Sequence, residues 1–149
     1  SLVGSEMCIR DSSMTKALIL SSGIAFVLFL IIDFVWLSIA VKYIYKPALG
    51  PLLLNKPILS AALLFYVLYI FGLTFLILLP NLKDFQIFNA FWMGGIFGLV
   101  AYGTYDLTNL ATIKGWSLKV TIIDLIWGGI LTSTVSGLTI WIMSKINPI

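Results

Sequence analysis

Histidine is absent from this sequence, and cysteine occurs once, as Cys8. Haem or zinc ligation through imidazole is therefore excluded, and a single cysteine forms neither an internal disulfide nor a thiolate cluster. Charge is scarce as well. Charged residues make up 10% of the chain, against about a quarter in a soluble domain. The lysines, at positions 16, 42, 46, 56, 83, 114, 119 and 145, all border apolar runs. None sits mid-membrane to form a Schiff base, which excludes a retinal protein. No polar stretch is long enough to fold as a separate soluble domain. The net charge of +3 is too small and too dispersed for nucleic-acid binding.

What the sequence does contain is apolar surface. Sixty per cent of the 149 residues are hydrophobic and the mean hydropathy is +1.09, a membrane composition. Four runs reach the ~20 residues needed to span ~30 Å of hydrocarbon at ~1.5 Å per residue. They predict helices at about 17–41, 58–79, 88–111 and 118–143, in an all-α four-helix membrane bundle with both termini on one side. The first run is longer than a secretory signal core and lacks a small-residue cleavage site.

Residues 1–13 differ in composition, resemble a translated adapter tail and are expected to be a disordered, non-native segment. Met14-Thr-Lys16 reads as the natural start. Residues 42–57, with Pro47, Gly50 and Pro51, read as an interfacial loop. Pro80 to Asp84 and residues 112–117 read as turns, with Ser117 as an N-cap. Gly94 and Gly98 on the third run, and Gly129, Ser133 and Gly137 on the fourth, have the four-residue spacing that lets helix backbones approach closely. Such a stripe would also serve a homodimer. Five lysines (42, 46, 56, 114, 119) border the loop side and three (16, 83, 145) the terminal side. The positive-inside rule then puts loops 42–57 and 112–117 in the cytoplasm.

Three acids interrupt the apolar runs: Asp33, Asp106 and Asp124. A charge inside the bilayer is costly unless it faces protein, water or a partner. On the third run Tyr102, Asp106 and Asn109 fall at i, i+4 and i+7, on one helix face. With the bordering lysines as depth marks, Asp33, Asp106 and Trp127 lie roughly 12–13 Å in, and Asp124, Asn109 and Trp36 roughly 8–9 Å. Tyr66 adds a hydroxyl near ~15 Å. Three helices thus place acids in one leaflet.

The first and last runs repeat Asp-x-x-Trp (Asp33/Trp36 and Asp124/Trp127) in opposite directions, which levels Asp33 with Trp127 and Asp124 with Trp36. An indole N–H needs an acceptor. The expectation is that runs one, three and four touch, with Asp33, Asp106 and Trp127 converging. Either these groups line a polar cavity or they lock the helices together.

The segments Tyr105-Asp-Leu-Thr-Asn-Leu-Ala-Thr112, Lys114-Gly-Trp116 and Lys119-Val-Thr-Ile-Ile-Asp-Leu-Ile-Trp-Gly128 resemble the domain-of-unknown-function 2177 family. So does Asp33-Phe-Val-Trp-Leu37, with the tyrosines and Lys46 that follow. The resemblance covers about residues 15–145. It implies a four-helix protein of the bacterial inner membrane and supplies no activity. The favoured expectation is a small transport or ligand-binding protein in contact with the lipid bilayer, with no cofactor or metal. An intramembrane enzyme acting on a lipid or isoprenoid, and a non-catalytic accessory subunit, are the alternatives.

Overall fold

A backbone surrounded by lipid must satisfy its own N–H and C=O groups, and only a helix does so within one segment. The computed structural model describes residues 2–146, and among them there is no β-strand. Helix α1 spans Leu2–Ala40 and is followed by a π-helical turn, Val41–Tyr45. Short helix α2 (Lys46–Leu49) and a 3-10 turn (Gly50–Leu52) complete that stretch. Helix α3 covers Leu59–Leu73, continues through a second π-helical turn, Thr74–Leu78, and ends in α4, Leu79–Leu82. Helices α5 (Ile87–Thr112) and α6 (Leu118–Ile146) follow. Four stretches are long and apolar enough to cross a membrane: Ser12–Leu52, Leu59–Leu82, Ile87–Thr112 and Leu118–Ile146. Phe34, Leu59, Leu64, Phe71 and Phe88 stand mostly exposed on their outer surface, as lipid-facing residues would.

Three boundaries differ from those expected. The backbone of residues 2–13, expected to be disordered, continues α1. Once a helix exists, each added residue gains a hydrogen bond, and this segment holds no proline to stop it. Residues 42–57 are helical as far as Leu52 rather than a loop. Pro80 lies inside the second span rather than starting a turn. Pro47 and Pro80 share one explanation. A proline ring collides with the carbonyl four residues earlier, here that of Tyr43 or Leu76. Both carbonyls belong to π-helical turns, where Lys46 N–H bonds to the Val41 carbonyl and Leu79 N–H to that of Thr74, five residues back. The wider turn moves the obstructing carbonyl aside and lets the helix run on.

The connection after α5 is tight. Gly115 takes φ +78°, a conformation costly for any residue with a Cβ. The Ser117 hydroxyl accepts a bond from Val120 N–H at 3.2 Å and caps α6.

Helix α6 is the axis of the bundle. It buries residues along most of its length and packs against α5, α1 and the Thr74–Leu78 turn, whereas α1 and α5 are not a packed pair. The α5–α6 contact is backbone-close. A Cβ on Gly94 would lie 2.7 Å from the Thr132 carbonyl oxygen, and one on Gly98 would run into the Gly128 carbonyl. Gly128 and Gly137 have no room for a Cβ beside the Tyr102 and Phe91 rings, while Gly129 meets Leu99 at an ordinary 3.4 Å. Ser133 Oγ donates to the Phe91 carbonyl at 2.8 Å. The α6 residues nearest to Gly94 and Gly98 are therefore Gly128, Thr132 and Ser136, one position round from the expected stripe.

Helix α3 is held less evenly. From Leu59 to Leu68 only Ala62 and Tyr66 are even partly covered, and burial begins at Tyr69. There the Tyr69 hydroxyl bonds to Thr132 Oγ1 at 2.6 Å, and its ring packs on Phe29 and Phe97. The first ten residues of α3 stand off from the bundle and leave space beneath them.

Candidate functional site

That space is walled by α1, the 42–57 segment, α3, α5 and α6. One cavity of about 590 Å³ has Asp33, Trp36, Tyr66, Tyr102, Asp124 and Trp127 in its lining. Its rim near the 42–57 segment includes Lys46, Asn55 and Trp116. Two smaller cavities adjoin it. One of about 440 Å³ shares Asp33, Leu37 and Tyr66 and is otherwise lined by Leu30, Ile31, Phe34 and Val35 on the outer side of α1. The other, about 290 Å³, shares Phe65, Tyr102, Tyr105 and Asp124.

The polar groups form a chain of bonds across α1 and α6. Trp127 Nε1 donates to Asp33 Oδ1 at 3.3 Å. The Trp127 ring stacks on Trp36, with centroids 4.4 Å apart and planes within 10°. Trp36 Nε1 donates to the Tyr45 hydroxyl at 3.2 Å, and that hydroxyl donates to Asp124 Oδ1 at 2.6 Å. Tyr45 is the final residue of the π-helical turn, and through this bond it reaches across to α6. Asp33 and Asp124 are 9% and 8% exposed, so both carboxyls are shielded yet reach the cavity.

Asp106 is placed differently. It is fully buried, and neither carboxyl oxygen has a hydrogen-bond partner among the described residues. The side chain it interacts with most strongly is the carboxyl of Asp124. Of the expected trio, Asp33 and Trp127 are joined by a hydrogen bond, and α1 and α5, which carry Asp33 and Asp106, are not a packed pair. Asp33 joins Trp127, and Asp106 faces Asp124. Among the described residues no three acids or cysteines gather closely enough to share a metal ion.

Tyr102 and Tyr66 lie in the cavity wall, whereas half-buried Asn109 lines none of the described cavities. Sequence reasoning missed Tyr45, Lys46, Tyr105 and Trp116. The signal available for the first two was the run Lys42-Tyr-Ile-Tyr-Lys46, polar and aromatic residues within one turn of the membrane end of α1.

The pattern of the family described as predicted membrane protein (DUF2177) matches residues 18–141, which include every residue of this network. The chain belongs to that family. No curated protein and no solved structure matches it. It is a multi-pass membrane protein, and in its structure a part-buried polar network joins the first and last spans.

Proposed function

We propose that this protein is a small ligand-binding or transport protein that takes the polar headgroup of a bilayer amphiphile into the cavity beneath α3. The observation that carries this is that two unlike spaces adjoin at Asp33. A cavity with two carboxyls and a wall of tryptophan and tyrosine meets an apolar cleft along Leu30, Ile31 and Phe34. A headgroup would occupy the first and its chain the second, with the chain leaving between α1 and α3 into lipid. Sites that hold a ligand are mostly apolar, with a few placed polar groups, and this one has that make-up. Intramembrane acids facing a cavity fit the same role. The lysine count supports residues 42–57 and 112–117 on the cytoplasmic side of a bacterial inner membrane, with both termini outside.

A second assignment has an observation of its own. The Trp127–Asp33 and Tyr45–Asp124 bonds tie α1 to α6, as a purely structural lock would. Detergent-purified protein, extracted with organic solvent and analysed by mass spectrometry, separates the two. With a binding site, the wild type carries a bound lipid or small molecule, and Asp33→Asn and Asp124→Asn lose it while keeping their helical content. If both variants retain the same molecules as wild type and lose only melting temperature, the acids are a lock.

A further inference from the structure

We propose, resting on the amphiphile site above, that its occupant is a cation: a single-chain amphiphile whose headgroup carries one net positive charge. The first support is a census of donors. Within the 590 Å³ cavity the indole N–H groups are already committed: Trp36 to Tyr45, Trp127 to Asp33, and Trp116 to Thr121 Oγ1 at 3.0 Å. The Tyr45 hydroxyl hydrogen is committed to Asp124. The second carboxyl oxygens of Asp33 and Asp124 remain as acceptors. A headgroup entering this space meets those lone pairs, while the Tyr66, Tyr102 and Tyr105 hydroxyls in the wall remain as donors, so charge decides between a cation and an anion.

Charge favours the cation. Two acids line the cavity, a third lies behind Asp124, and the one lysine in the lining, Lys46, is exposed at the rim. An anionic headgroup would have to approach these acids, whereas a cation is drawn past Lys46 to groups deeper in the wall. The remaining wall is aromatic. The rings of Tyr66, Tyr102, Tyr105, Trp36 and Trp127 surround the carboxyls. Aromatic faces carry negative charge density and hold ammonium groups, most strongly where water is excluded. Together the carboxyls and rings match a compact alkylammonium head, and the apolar cleft beyond Asp33 matches one chain.

The test works with synthetic amphiphiles in place of the natural ligand. Trp92 and Trp141 are lipid-exposed and line none of the described cavities. In a Trp92→Phe/Trp141→Phe background the remaining indoles, Trp36, Trp116 and Trp127, all line the cavity. This protein, in lipid nanodiscs, is titrated with three probes of equal chain length while tryptophan emission is followed. The probes are dodecyltrimethylammonium, dodecylphosphocholine and hexaethylene glycol monododecyl ether. Saturable binding of the cationic probe, at least about tenfold tighter than either of the others, is expected, and Asp33→Asn is expected to abolish that preference. Equal binding of all three probes, or of the cationic and zwitterionic ones, overturns the cation and leaves the amphiphile site standing. No saturable response to any probe overturns the site itself. The comparison among probes uses the chain with all its acids, so it decides the matter even if Asp33→Asn fails to fold.

Discussion

Three aspartates at similar depth meet three different fates, and the difference lies in who donates to them. Asp33 receives an indole, Asp124 a phenol, and Asp106 nothing among the described residues. Removing a donor from a buried bond costs about 1 kcal/mol or more, whereas removing a group that has no bond costs little. Tyr45→Phe should therefore lower thermal stability by about 1 kcal/mol, because it strips both Trp36 and Asp124 of a partner. Asp106→Asn should melt at or above the wild-type temperature, since an amide adds a donor beside Asp124. A detergent-phase melt monitored by circular dichroism compares them, and a larger loss for Asp106→Asn than for Tyr45→Phe would contradict this account. The Asp33–Trp127 pair was within reach of counting residues from the lysines, because antiparallel helices share one depth scale. Tyr45 was not, because a π-helical turn rotates the residues after it and leaves no periodic mark in an all-apolar run.

At the scale of elements, spans are easy to find here and their ends are not. Apolar length alone locates the four stretches, but Pro47 and Pro80 look like helix ends and instead follow turns that accommodate them. Small residues carry the closest contact, between α5 and α6. Gly98→Ala forces a methyl group against backbone and should cost about 1–3 kcal/mol. Gly23→Ala, with nothing within 4 Å, should be neutral or stabilising by up to about 1 kcal/mol. Equal melting temperatures for the two variants would show that α5 and α6 are not packed this way. The four-residue spacing in the sequence pointed to close packing but not to the partner. Gly94 and Gly98 are used inside the chain, against Gly128, Thr132 and Ser136 of α6.

For the whole molecule, sidedness is the property most directly open to test. With Cys8 replaced by serine, cysteines at Lys114 and Lys145 report the two faces. A membrane-impermeant maleimide applied to intact cells should label Lys145→Cys and spare Lys114→Cys, and the opposite pattern inverts the orientation.

One helix also gives the molecule a mechanical character. Tyr69 clamps α3 to α6 through Thr132, while the ten residues before it are mostly exposed, with Tyr66 resting on the Phe29 ring. A rod pinned at one end and free at the other is a cantilever, and its tip sweeps the widest arc. Small rotations about Tyr69 become large changes in the gap between α3 and α1, with little disturbance of the α5–α6 contact. Spin labels at Leu64 and Ile122, both exposed near the free end, should give a broader distance distribution than labels at Phe75 and Trp141 beyond the clamp. Tyr69→Phe, which releases the clamp, should widen the second distribution toward the first.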